Sequence, residues 1–289
     1  MKINVLKVNA FTESFEGGNP AGVMLESPDL TDEQMKYITK ELNVSETAFV
    51  FPSNKADYKI RFFSPEVEVD LCGHATIATF FTMALQGMFS SDCVAVQETN
   101  AGVLPVDILF TDDKKVDRVM MTQGKPIFKD IEYDLSEIAD SLRVSVEDID
   151  DSFPKQIVST GLFTLPVCIK SFDILKTVTP DFREIKKICQ LLGVGSFHLF
   201  TFDTVEPGST YHARNFAPLY GINEDPVTGT ANGAISSYLI KNRIIKEKNL
   251  TCEQGDIIGR SGRVYVEIDK DVVKVGGKAR IVEEKEVEL

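Results

Sequence analysis

The sequence predicts an α+β protein of two similar lobes made by internal duplication, and three observations lead to it. Strand-like and helix-like stretches interleave along the whole chain without a low-complexity segment. The octapeptide Tyr58-Lys-Ile-Arg-Phe-Phe-Ser-Pro65 returns 153 positions later as Tyr211-His-Ala-Arg-Asn-Phe-Ala-Pro218, with Tyr, Arg, Phe and Pro identical. A length of 289 residues suits two domains of ordinary size.

Each element has its own signal. Ile3 to Phe11 alternates as a strand, and Ala21 to Leu25 makes another after the loop Gly17-Gly-Asn-Pro20. Thr31-Asp-Glu-Gln34 is a capping box, opening a helix with Met35, Ile38 and Leu42 on one face. Strands at Ala48–Phe51 and Tyr58–Phe63 are closed by Pro52 and Pro65. Ile77, Phe80, Phe81, Ala84 and Leu85 follow the helical spacing i, i+3, i+4, i+7, i+8. Strands near 93–98 and 103–110 lead to the polar break Thr111-Asp-Asp-Lys-Lys115, which sets the lobes at 1–115 and 116–289. A C-terminal strand near 279–289 is left open between the two lobes.

Beyond the break the order repeats. A helix opened by Thr179-Pro180-Asp181 and stopped by Gly193 answers the helix from Thr31 to Leu42. Leu199-Phe-Thr-Phe202 answers Ala48-Phe-Val-Phe51, and the turns Cys72-Gly-His-Ala-Thr76 and Thr228-Gly-Thr-Ala-Asn-Gly233 each lead into an apolar helix.

Charge and composition exclude several roles. Lys plus Arg total 31 against 44 Asp plus Glu, a net charge of −13 that repels phosphate backbones and anionic lipid. No nucleic-acid or membrane partner is expected, and no apolar run approaches the ~18 residues of a membrane span. The opening Met1-Lys-Ile-Asn-Val reads as a strand rather than a signal peptide. Cys72, Cys93, Cys168, Cys189 and Cys252 are odd in number and contain no CxxC pair, which argues against a disulfide frame or structural zinc and for a reduced cytoplasm. With histidines at 74, 198 and 212 alone, no metal is expected.

The two turns and one carboxylate carry the chemistry. Small residues at a helix start leave backbone N–H groups uncovered at the positive end of the dipole. Two such starts would hold a carboxylate without Lys or Arg, so the expected ligand is a small anionic acid in a cleft between the lobes. Aligned on the repeated strands, Ser45-Glu46-Thr47 falls on Ser196-Phe197-His198, so Glu46 has no symmetric partner. A partly buried Glu with few charges around it can take and return a proton. Matching the two small-residue turns puts Cys72 on Thr230 and His74 on Asn232, and the dipole at a helix start favours a neutral, hydrogen-bonding His74. The plain alternatives are glycines that merely make turns and a Glu that is simply surface.

These residues carry a resemblance. Asn19-Pro-Ala-Gly-Val, Ser45-Glu46-Thr47, Arg61-Phe-Phe-Ser-Pro, Leu71-Cys-Gly-His74-Ala-Thr and Glu224-Asp225-Pro-Val-Thr-Gly-Thr230-Ala-Asn-Gly resemble the PhzF isomerase family of phenazine biosynthesis, within the diaminopimelate epimerase-like superfamily. The resemblance implies that each lobe is a curved sheet or barrel around a central helix, here 75–86 and 231–241, and that the usual assembly is a homodimer. It implies Glu46 as catalytic acid/base, with His74, Asp225 and Thr230 as supporting catalytic residues, Thr230 standing where the family often has Ser. Asn19, Gly73, Ala75, Gly229 and Ala231 would line the substrate. The implied reaction is a proton shift on a dihydro-hydroxyanthranilate-type acid, without metal or organic cofactor. Related racemases use one cysteine in each half; with Thr230 at the second position, a hydroxyl cannot replace a thiolate base. An epimerase using Cys72 with another base, and a non-catalytic small-acid binding protein, remain as alternatives.

Overall fold

The computed structural model describes residues 2–289, and the chain divides into two units: residues up to Thr122 with Gly276–Leu289, and Gln123–Val275. The first unit carries β1 (Lys2–Ala10), β2 (Asn19–Met24), α1 (Asp32–Leu42), β3 (Thr47–Phe51), β4 (Tyr58–Phe63), β5 (Glu68–Val69), α2 (Gly73–Leu85), β6 (Cys93–Thr99), β7 (Gly102–Phe110) and β8 (Val116–Thr122). The second carries β9 (Ile127–Asp130), α3 (Leu135–Leu142), β10 (Gln156–Ser159), β11 (Phe163–Cys168), α4 (Phe172–Thr177) and α5 (Phe182–Leu192). It continues with β12 (Ser196–Thr201), β13 (Tyr211–Ala217), β14 (Ile222–Asp225), α6 (Gly229–Lys241), β15 (Asn249–Gln254), β16 (Gly262–Asp269) and β17 (Val272–Gly277). The last strand, β18 (Ala279–Glu288), pairs antiparallel with β1 in the first unit.

The two units share one pairing scheme. β1–β2 is antiparallel, β2–β3 parallel, β3–β4 antiparallel, β4–β6 parallel and β6–β7 antiparallel. In the second unit β10–β11, β11–β12, β12–β13, β13–β15 and β15–β16 repeat these directions in the same order. Strand β9 pairs antiparallel with β10 as β18 does with β1.

Each unit is built around a helix that is apolar or small on all sides, the mark of a buried core helix. In α2 every residue from Ala75 to Ala84 is buried, and strands β1, β2, β3, β7, β8 and β18 lie against it. In α6 Ala231–Leu239 are buried against β10, β11 and β16. Buried hydroxyls inside these helices return to their own backbone: Thr76 donates to Cys72 O at 2.8 Å, Thr79 to Ala75 O at 2.7 Å and Ser237 to Gly233 O at 2.7 Å.

A second apolar layer covers the outside of each sheet. Met35, Ile38 and Leu42 of α1 pack with Phe49, Phe63 and Val5, and the Thr31 capping box is formed, with Gln34 N on Thr31 Oγ1 and Thr31 N on Gln34 Oε1. In the second unit Ile138, Leu142, Ile185 and Cys189 of α3 and α5 pack with Phe197, Leu199 and Phe216. Cover on both faces leaves every residue of β12 and β13 buried.

The ladders correct two alignments made from sequence. Thr47 lies opposite Phe63 and Phe197 opposite Phe216, so Thr47 corresponds to Phe197 and Glu46 to Ser196, one position from the sequence alignment. The helix starts move as well. α2 and α6 both have 13 residues, with N-caps at Cys72 (φ −132°, ψ 115°) and Thr228 (φ −119°, ψ 106°). Cys72 therefore matches Thr228 and His74 matches Thr230, because the link from strand to helix is longer in the second unit. Neither shift gives Glu46 a carboxylate partner or Cys72 a thiol partner.

Candidate active site

In the first unit, Glu46 stands between the end of α1 and the start of β3. Helix α1 ends at Asn43 in the left-handed conformation (φ 52°), and the chain then enters the sheet beside β2. Gly22 N donates to Glu46 O at 2.9 Å. That approach requires glycine: a Cβ at position 22 would meet Thr47 Oγ1 at 2.3 Å and Leu42 Cδ1 at 2.7 Å. Asn19, of the same motif, is buried at the start of β2 opposite Ala10.

The turn into α2 brings Cys72 and His74 to Glu46 and its neighbour Ser45. His74 Nε2 lies 3.4 Å from Glu46 Oε2 and 3.4 Å from Ser45 Oγ, while His74 Nδ1 lies 3.4 Å from Cys72 Sγ. Glu46 is 20% exposed and His74 13%, so both are mostly shielded yet reachable. The ligand atoms of Glu46, Cys72 and His74 all lie within 4.8 Å of one another, the one such grouping of metal-binding donors among the described residues. A Cβ at Gly73 would meet nothing within 4 Å.

In the second unit, Asp225 ends β14 opposite Asn215 of β13. Its Oδ2 accepts from Thr228 Oγ1 at 2.5 Å and its carbonyl from Gln254 Nε2 at 2.8 Å. Gln254 also accepts from Thr228 N at 3.1 Å and from Asn232 Nδ2 at 2.8 Å. Asn232 in turn takes Nε2 of the fully buried His198 at 3.3 Å. A chain of buried polar groups therefore fixes the carboxylate beside the helix start. Thr230 is half-buried in the first turn of α6, with its carbonyl held by Thr160 Oγ1 at 3.0 Å. Ala75 and Ala231 are buried and Gly229 half-buried.

The helix starts differ from those outside the sheets. Thr31, Asp134, Ser171 and Asp181 each cap their helix with a side chain, whereas neither Cys72 nor Thr228 does. The first-turn amides of α2 and α6 are thus left without a side-chain cap, at the positive ends of two dipoles.

Of the residues the sequence points to, the structure joins Glu46 with His74 in one unit and sets Asp225 and Thr230 around one helix start in the other. Ser45, Thr228 and Gln254 join them in the structure. Thr228 is marked in the sequence by its place just before the helix, although its side chain bonds Asp225 and does not cap the helix. Gln254 had no local signal, since it reaches Asp225 from a strand 29 positions away.

Known proteins resemble this chain in sequence and in fold along nearly its whole length. Residues 8–285 match the PhzC-PhzF family model, described as phenazine biosynthesis-like protein. An uncharacterized isomerase, YfhB, of Bacillus subtilis is 37% identical over 278 residues, 96% of this chain and 93% of that protein. The crystal structure of a PhzF-family phenazine biosynthesis protein from Bacillus anthracis superposes with a TM-score of 0.92 at 33% identity, over 100% of both chains. A hydroxyproline epimerase from Agrobacterium vitis shares the fold, with a TM-score of 0.63 at 13% identity over 99% of this chain and 92% of that one. No helix among the described residues is long and apolar enough to cross a membrane. An α+β chain of two like units, matched along nearly its whole length, is an isomerase belonging to the PhzC-PhzF family of phenazine biosynthesis-like proteins.

Proposed function

We propose that the chain moves a proton within a small carboxylic acid of the dihydro-hydroxyanthranilate type, with Glu46 as general acid/base. The observation that carries this reading is the Glu46 carboxylate held 3.4 Å from the His74 imidazole beside an uncapped helix start. Glu46 takes a C–H proton from an allylic carbon, the electron pair moves along the double bond, and the same proton returns from Glu46 to another carbon of the system. The shift is redox-neutral and consumes no cofactor. His74 orients the carboxylate and stabilises charge as it forms, and the first-turn amides of α2 take the substrate's carboxylate.

The distances favour one base over two. Bases acting on opposite faces of one carbon each need to approach it to ~3–3.5 Å, which sets them roughly 6–7 Å apart. Cys72 Sγ and the Glu46 carboxylate are within 4.8 Å and flank the same imidazole, so they serve one face. This weighs against an epimerase that pairs Cys72 with Glu46.

The test is a panel of small carboxylic acids in deuterated water, scored for deuterium at carbon. Wild type should exchange at least one of them, and Glu46→Gln should lose about 10²-fold or more of that rate. Full exchange by Glu46→Gln removes the base from the mechanism. Saturable binding without exchange makes the protein a binder instead.

A further inference from the structure

We propose that Glu46, Cys72 and His74 form a binding site for a soft divalent cation of the zinc class, and that filling it switches the site off. The three side chains offer one carboxylate oxygen, one sulfur and one imidazole nitrogen, the donor types that zinc takes in sites with three protein ligands and an open fourth position. With Zn–N and Zn–O near 2.0–2.1 Å and Zn–S near 2.3 Å, the edges of a tetrahedral site are roughly 3.3–3.6 Å. The His74 Nε2 to Glu46 Oε2 distance is 3.4 Å, the His74 Nε2 to Cys72 Sγ distance is 3.9 Å, and all three donor atoms lie within 4.8 Å of one another, so rotation of the Cys72 and Glu46 side chains toward Nε2 closes the site. Thiolate and imidazole select zinc over magnesium or calcium, which prefer oxygen alone.

Position supports the same assignment. The space beside Gly73 is open, since a Cβ there would meet nothing within 4 Å, and the partial exposure of Glu46 and His74 gives the ion an entry path. Ser45 Oγ, also 3.4 Å from His74 Nε2, borders the fourth position. Binding releases the Cys72 thiol proton to solvent, and the resulting thiolate with the Glu46 carboxylate balances the two positive charges. The carboxylate lone pair that the proton transfer needs is then held by the metal, so cation and substrate proton compete for one atom.

Cobalt(II) serves as a spectroscopic stand-in. Protein dialysed against EDTA and then freed of it should bind one equivalent, with a sulfur-to-cobalt charge-transfer band in the near ultraviolet and the intense visible bands of a four-coordinate ion. Cys72→Ser should abolish the charge-transfer band, and Cys72→Ser and His74→Gln should each weaken zinc at least about 10-fold in competition with a chromophoric chelator. Circular dichroism checks that each variant is folded, and Cys72→Ala is the second variant if Cys72→Ser is not. Absence of the charge-transfer band in wild type, or equal zinc affinity in folded variants, overturns the site. The inference rests on the donor geometry and not on Glu46 being the base. A wild type without the band beside an inactive Glu46→Gln would end this proposal alone, whereas the band beside a fully active Glu46→Gln would end the proposed mechanism and keep the site.

Discussion

His198 is wholly enclosed, and its two ring nitrogens meet the side-chain amides of Asn215 at 3.1 Å and Asn232 at 3.3 Å. The Asn232 amide nitrogen is committed to Thr228 O and Gln254 Oε1, so the oxygen faces His198 and the imidazole donates through Nε2. Burial holds the His198 imidazole down to about 4, against 6.5 for an exposed one. Between those values the unfolded chain binds a proton that the folded chain refuses. The contribution is therefore complete above about pH 6.5 and is lost as pH falls towards about 4, by roughly 3 kcal/mol in all. Urea midpoints should fall steeply across that window, and His198→Gln should flatten the slope while lowering stability at neutral pH. An unchanged slope in that variant would show that another group titrates. Further into acid, Glu253 takes over. Its burial raises the carboxyl, but bonds from His212 and the amides of Val205 and Glu206 win and hold it at about 2. Its support is present above about pH 4.5 and is lost as pH falls through about 2.

At the level of elements, the repeated Tyr-x-x-Arg-x-Phe strand is a clamp used twice. Arg61 forks onto Glu68 at 2.8 and 2.7 Å and covers the Phe63 ring at 4.9 Å. Arg214 forks onto Glu224 at 2.9 Å through both nitrogens and covers Phe216 at 4.9 Å. Each clamp ties the strand to the short stretch that delivers the chain to its central helix. They differ in depth: Arg214 is 8% exposed and also donates to Leu175 O and Val178 O, while Arg61 is 23% exposed. Arg214→Leu should cost about 3–5 kcal/mol, because it strands Glu224 and two buried carbonyls. Arg61→Leu, screened by water, should cost about 1–2 kcal/mol. Equal losses by denaturant titration would mean that depth does not set the difference. The repeat was legible because Arg and Phe keep one spacing in both strands. Its acidic partners were not, because Glu224 stands 156 positions after Glu68 and a search at 153 passes over it. The same offset of 156 sets His74 on Thr230, two positions from the Asn232 to which the small-residue turns point. Glu46 and His74 each stand in a local motif, although their pairing does not follow from the motifs, whereas Gln254 belongs to Asp225 only through the sheet.

At the scale of the whole molecule, duplication was visible in the order of elements, and the central helices read at 75–86 and 231–241 are found at Gly73–Leu85 and Gly229–Lys241. The route of the chain was less visible, since an alternating C-terminal segment suits an edge strand in either half. β18 pairs with β1 from Lys2↔Glu288 to Ala10↔Ala279, broken by one bulge. Removing residues 279–289 should uncover β1 and one side of α2 in the first unit. In hydrogen exchange, α2 should lose protection while β12 and β13 keep theirs; protection retained in α2 would show that β18 is dispensable. The same pairing sets an order of events at the ribosome. The second unit draws all its strands from an unbroken run of chain, whereas the edge of β1 waits for a partner made some 280 residues later, roughly 15–55 s at ordinary elongation rates. The half synthesised first is thus completed last. During that interval its open strand edge can pair with a neighbouring nascent chain, which makes crowding on a polysome the condition under which this protein is most exposed to misassembly.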